Sequence, residues 1–168
     1  MANSLIGEKF DLYLVNGYVA AAVQTSESAS NYSLVLSTNG GTKGSTFSPL
    51  KLQVLAADGS KTIITVDKDT TGNPAEGDII TYTGTADKAL VKIQTPGATT
   101  TSTANFYNKT TKTIEGTVTA GDAVLFVKTS TSGDYKAYGV RSLKDITTAG
   151  KACKIIVDNG KVVAAYLA

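Results

Sequence analysis

A chain of 168 residues suits one domain or two small ones, and is long enough to bury a sizeable core. Charged residues make up 18% of it, the formal net charge is +2 and the lysines are scattered without a basic run, which argues against nucleic acid as a partner. With no His and one Cys, the chain cannot form a Ser–His–Asp or Cys–His centre, a thiolate zinc site or an intrachain disulfide.

Residues 1–9 have neither a basic start nor a long apolar core, so they do not read as a signal peptide. No apolar run is long enough for a membrane span, and no membrane insertion is expected. Residues 10–23 read as a β-hairpin, two apolar runs split by Val15-Asn16-Gly17-Tyr18. Asn-Gly suits a type I′ turn, because both central residues need φ > 0. Pairing across that turn sets Leu14 opposite Val19, Leu12 opposite Ala21 and Phe10 opposite Val23. A polar stretch at 25–31 precedes a strand at 32–37. Residues 38–48, rich in Gly, Ser and Thr, read as an exposed, mobile loop. Strands at 50–56 and 61–66 flank Asp58-Gly59, a second hairpin signal. Residues 68–76 form a loop carrying Gly72, Asn73 and Pro74. Gly77-Asp78 before a strand at 79–83, and Gly121-Asp122 before one at 123–129, read as entrance turns. There Gly supplies unusual dihedrals and Asp accepts from following amides.

A strand at 89–94 leads into residues 95–104, almost wholly Pro, Gly, Thr and Ser. This linker divides the chain into residues 1–96 and 97–168. The second part has strands near 106–107, 113–118, 123–128 and 135–140, then a turn-like segment at 143–146. It closes on a hairpin at 153–167 split by Asp158-Asn159-Gly160-Lys161. Here Val157 faces Val162, Ile155 faces Ala164 and Cys153 faces Tyr166. The apolar side has the same phase relative to the turn as in the first hairpin. A slip of one residue would reverse the faces, so this agreement marks kinship. Cys153 falls on the apolar side and reads as a small buried hydrophobe rather than a reactive thiol. Short strands every 8–12 residues, without a long period-3.6 run, make the chain all-β. The expected architecture is two small antiparallel β-barrel or sandwich units in tandem. Starting and ending in matching hairpins suggests a piece of a longer protein, with any secretion signal upstream.

Several of these stretches resemble a known family. They are Ala123-Val124-Leu125-Phe126-Val127, Asp134-Tyr135-Lys136-Ala137-Tyr138, Leu143-Lys144-Asp145-Ile146, and the run from Ile156 through Asn159-Gly160 to Ala165. Together they look like the repeating β-rich segments of large Gram-positive, clostridial-type surface proteins that also carry S-layer homology domains. Asn16-Gly17-Tyr18-Val19-Ala20-Ala21-Ala22-Val23 resembles the start of the next such segment. Leu55-Ala56-Ala57-Asp58-Gly59 through Tyr82 also fits. The S-layer homology module itself is absent, since nothing reads as its helical pattern. The resemblance implies an extracellular, cell-envelope location and a spacer, array-building or adhesive role. Its partners would be neighbouring domains of the same parent chain and cell-wall or host glycans. It brings no catalytic residues and no cofactor.

Three further chemistries can be read against the residues. Asp67, Asp69, Thr71, Gly72 and Asp78 have the spacing of a D-x-D-x-x-G calcium loop. Against it, the closing acid is Asp rather than Glu, Pro74 interrupts the loop and strands flank it. A solvated Asp/Gly turn is the competing reading and is preferred, so no metal site is assigned. Asp87, Glu115, Asp122 and Asp134 are available for paired-carboxylate glycoside hydrolysis, but acids at strand ends are usually solvated, and no catalytic residue is assigned. Tyr13, Tyr18, Tyr82, Tyr107, Tyr135 and Tyr138 can supply a sugar-stacking platform or simply cover sheet faces. The chain lacks Trp, the aromatic most expected on such a platform. The reading is a non-enzymatic structural segment of a bacterial surface protein, with a glycan-binding or adhesive module as the alternative.

Overall fold

The computed structural model describes residues 10–15, 18–24, 31–94, 96, 98–101, 106–129, 134–140, 143–147 and 151–168, with backbone alone for 10–15, 18–24 and 98–101. The all-β expectation holds: fourteen strands form three sheets among these residues. β1 (Phe10–Val15) and β2 (Tyr18–Gln24) form a two-stranded sheet. The next five strands are β3 (Ser33–Thr38), β4 (Lys51–Ala56), β5 (Lys61–Thr65), β6 (Ile79–Thr85) and β7 (Lys88–Ile93). They make one antiparallel sheet ordered β5-β4-β3-β6-β7. The end of β5 also reaches β7: Val66 bridges Ala89, and the Thr65 and Asp67 amides donate to the Ala86 and Ala89 carbonyls at 2.6 and 2.8 Å.

The third sheet gathers β8 (Ala98–Thr101), β9 (Tyr107–Asn108), β10 (Thr113–Ile114), β11 (Thr117–Lys128), β12 (Tyr135–Gly139), β13 (Ala152–Asp158) and β14 (Lys161–Leu167). Its order is β8-β13-β14-β11-β10-β9, with β12 also on β11. Four expectations need correction here. Part of the supposed linker, residues 98–101, is an edge strand on β13. The supposed single strand at 113–118 is broken by a two-residue turn at Glu115-Gly116, both with positive φ (46° and 79°). Gly121-Asp122 is an irregularity inside β11, not an entrance turn, while Gly77-Asp78 does sit in a turn before β6. Finally, β11 and β14 run parallel, so the sheet is not purely antiparallel.

The strands of both Asn-Gly hairpins pair; Asn159 and Gly160 take the positive φ of a type I′ turn (49° and 75°), while Asn16 and Gly17 lie outside the described residues. The residues nearest each turn pair as expected, Leu14 with Val19 and Val157 with Val162. Beyond them a β-bulge shifts the register by one. Leu12 meets Ala22 and Phe10 meets Gln24; Ile155 meets Ala165 and Cys153 meets Leu167. A bulge opposes two residues of one strand to one of the other, so pattern alone cannot place it.

The central strands are buried on both faces, which explains their unbroken apolar runs. In the five-stranded sheet Val35, Leu52, Val54, Ile64 and Ile80 share one core. In the seven-stranded sheet Leu125, Cys153, Ile155, Val162, Ala165 and Leu167 join Phe106, Tyr107 and Ile114 in a second. The alternate residues, Leu34, Leu55 and Ile79 from one sheet and Val124, Phe126, Ile156 and Ala164 from the other, meet in a third cluster between the sheets. Period-2 alternation thus splits β3, β4, β6, β11, β13 and β14 between their own core and a shared layer, while the alternate residues Ile63 of β5 and Leu90 of β7 stay exposed. The bulge serves this split: Val163 and Ala164 both pack in the shared layer, while Val162 and Ala165 on either side go to the second core.

Loop 39–50 is well pinned rather than loose. The Asn39 carboxamide accepts from the amides of Gly41 and Lys51 at 3.0 and 2.8 Å and donates to the Pro49 carbonyl at 2.9 Å. From this loop Lys43 Nζ donates to the carbonyls of Thr70 and Gly72 at 2.7 and 2.6 Å. Replacing Lys43 by Met is expected to lower unfolding free energy by about 1–2 kcal/mol, read by urea denaturation, since two charge-assisted hydrogen bonds vanish. A change under a few tenths would mean water replaces the ammonium at no cost.

Candidate functional site

A groove with exposed polar groups lies where the two large sheets meet. The β4–β5 turn brings Gly59 and Lys61 alongside Leu55, and the β11–β12 connection brings Thr129 and residues 134–137. Together they line a groove of about 670 Å³, within the size range of small-ligand clefts. The turn forms because Asp58 accepts from the Ser60 amide at 2.8 Å while Gly59 takes φ of 85°. Hydrogen bonds from Ser60 hold the Asp58 carboxyl below its ordinary pKa. Lys61 and Asp134 face each other across the groove at 3.8 Å, both well exposed, a contact of little energetic weight.

Beside the groove Tyr135 and Tyr166 share a hydroxyl–hydroxyl hydrogen bond of 3.0 Å, with ring centroids 5.6 Å apart. Lys128 Nζ stands 5.9 Å from the Tyr135 ring centre. Burial first, then the Tyr135 hydroxyl and the charge of Glu76, push the Tyr166 phenol well above its ordinary range. Burial and the carboxylates of Asp158 and Asp122 push Tyr32 up as well. Both raised values favour the neutral phenol in the folded chain. The stability they contribute is full below pH about 10 and is lost as pH rises through the folded values. Alkaline denaturation should therefore set in above pH 10 and be blunted in Tyr166→Phe, measured by melting temperature against pH; parallel curves for the two proteins would refute it.

On β13, Lys154 is paired with Tyr166 of β14; its Nζ donates to the Gly77 carbonyl at 2.9 Å and sits 3.3 Å from Asp78 Oδ1. Both side chains are about three-quarters buried, at 27% and 23% exposure, so this pair is a latch between the sheets rather than a surface contact.

The residues read from the sequence separate. Asp67 is buried and accepts from the Asp69 amide at 2.9 Å; Asp69 pairs with Lys68 at 2.8 Å, which holds its carboxyl below its ordinary value; Asp78 accepts from the Ala75 amide at 2.9 Å. The Thr70 and Gly72 carbonyls of the same loop are taken by the Lys43 ammonium. Among the described residues no three acids or Cys gather as metal ligands. Asp87 stands in the β6–β7 turn, Glu115 in the β10–β11 turn, Asp122 in the β11 irregularity and Asp134 beside the groove. Tyr107 is buried and donates to the Val140 carbonyl at 2.6 Å; Tyr82 packs on the first core and Tyr138 on the second. Of the proposed platform only Tyr135 lines the groove among the described residues, and the side chains of Tyr13 and Tyr18 lie outside them. Cys153 is buried, as its place on the apolar face predicts.

Sequence reasoning missed Tyr166, Lys43 and Lys154. Lys43 and Lys154 reach partners far away in the chain, so no local pattern marks them. Tyr166 was legible as part of its hairpin, but not its pairing with Tyr135. Comparison with protein-family models, with curated proteins and with solved structures finds no match.

Proposed function

We propose that the chain is a non-catalytic, extracellular segment of a bacterial cell-surface protein of the S-layer type, serving as a structural spacer or array-building module. Its two halves, residues 1–96 and 97–168, act as tandem units, and the contact of β5 with β7 is read as closing the first into a partly open barrel. The observation that carries this reading is the shared apolar layer of Leu34, Leu55, Ile79, Val124, Phe126, Ile156 and Ala164. Such a layer, latched by Lys154 on Asp78 and Gly77, suits a body that must hold its shape under load. Tyr82, Tyr107 and Tyr138 pack in cores, as a structural role requires. The resemblance to clostridial-type surface segments supports the location. Antibody raised against the chain should label intact cells of the source organism; labelling only after lysis would refute the surface assignment.

The junction groove favours a second reading, glycan binding, because Tyr135 stands there with Lys61 and Lys136. A glycan array separates the two: binding abolished by Tyr135→Ala would establish the adhesive role, and a clean negative would leave the structural one.

A further inference from the structure

Hairpin β1–β2 and hairpin β13–β14 are the same element in backbone as well as in sequence. Each position of the first lies 143 residues before its counterpart, as Asn16 does before Asn159. Leu14 pairs with Val19 as Val157 pairs with Val162. Tyr13 then pairs with Ala21 as Ile156 pairs with Ala164, so each hairpin carries its bulge at the same step. In β13–β14 that bulge sends residues to two different apolar clusters. A bulge re-aims side chains, and in β13–β14 it does so between two covered faces. Of the four buried β14 positions, Val162, Ala164 and Ala165 correspond to Val19, Ala21 and Ala22, the same residue types, while Leu167 at the strand's end corresponds to Gln24.

Their settings differ. β13–β14 lies between two further strands, β8 on β13 and β11 parallel to β14. β1–β2 forms a sheet of its own among the described residues. A lone two-stranded hairpin is marginal in water. We propose that β1–β2 is a closing hairpin whose partner is a second copy of the β8–β12 framework, entered between a β8-type and a β11-type strand just as β13–β14 is. The inference rests on register and would stand even if the chain did not work at a cell surface.

One substitution tunes the fit. The counterpart of Lys154, which contacts Asp78 and Gly77 across the sheets, is Asp11. Against an identical copy Asp11 would meet Asp78, a like charge, so Asp11→Lys should tighten the docking.

The test extends the whole chain: a copy of residues 25–152 is placed directly ahead of Phe10, so that the added copy has no closing hairpin except residues 10–24. Hydrogen exchange is then compared with that of the original chain. The added copy should fold, and amides of β1 and β2 should exchange at least about 100-fold more slowly than in the original chain. Val19→Asp should unfold the added copy in the extended chain and leave the melting temperature of the original chain unchanged. Asp11→Lys should raise the melting temperature of the added copy. The proposal is overturned if the added copy stays unfolded, if it folds with β1–β2 exchanging as before, or if Val19→Asp is neutral in the extended chain. Antibody labelling of cells does not enter any of these outcomes, so failure here is distinct from failure of the surface assignment.

Discussion

Replacing Phe126 by Ala is expected to destabilise the protein by about 3–5 kcal/mol, the usual range for removing a fully buried aromatic. Phe126 is fully buried in the layer shared by the two large sheets, with Leu34, Leu55 and Ile79 on one side and Val124, Ile156 and Ala164 on the other. The cost is the lost transfer of the ring plus a cavity that strands from both sheets would have to collapse to fill. Its distinctive consequence is uncoupling. A truncation inside one core, such as Leu52→Ala in the first, should lower the transition of its own sheet by about 2–5 kcal/mol. Phe126→Ala should instead lower the transition that reports on both. Calorimetry with hydrogen exchange on β4 and β13 separates these outcomes. If Phe126→Ala weakens only β11 and its neighbours, the shared layer contributes little and the two sheets are independent bodies.

Why so much of this fold was visible beforehand, and the shared layer was not, follows from what a local pattern encodes. Asn159-Gly160 and Asp58-Gly59 announce turns because their backbone needs are chemical and local. Val124-Leu125-Phe126 announces a strand, but an unbroken apolar run leaves open what covers each face. Only the three-dimensional neighbours show Leu125 in one cluster and Val124 and Phe126 in another. Glu115-Gly116 was hidden because Thr113-Ile114 and Thr117-Val118 alternate like one strand, and Glu is not a residue expected at positive φ. The parallel pairing of β11 with β14 was hidden because periodicity states that a strand exists, never which strand it meets. The calcium-like spacing of Asp67, Asp69 and Asp78 has the same limit. Residue spacing carries no information on Lys43, whose ammonium reaches two carbonyls of that loop. Adding calcium or chelator is accordingly expected to leave the melting temperature unchanged; a rise with calcium of several degrees would show an ion bound there after all.

Gly84→Ala is expected to cost about 2–4 kcal/mol, far more than its small size suggests. Gly84 lies in β6 opposite Ala89 of β7 and has φ of 94°, where a Cβ is strained. A Cβ there would also stand 2.5 Å from the Lys88 carbonyl oxygen, and a backbone atom in a paired strand has little room to yield. The damage should not stay local. β7 and the turn before it receive the end of β5 through the Ala86 and Ala89 carbonyls, so a displaced β6–β7 ladder weakens the contact that joins the two ends of the five-stranded sheet. Gly59→Ala is the matched control. Gly59 also has positive φ, 85°, but a Cβ there meets nothing within 4 Å, so only the backbone cost of about 1 kcal/mol applies. Urea denaturation of the two variants, with exchange rates for the Thr65 and Asp67 amides, decides the matter. Equal losses would mean that the close approach to Lys88 relaxes freely. A large loss in Gly84→Ala with unchanged protection at Thr65 and Asp67 would mean that the β5–β7 contact does not depend on this hairpin.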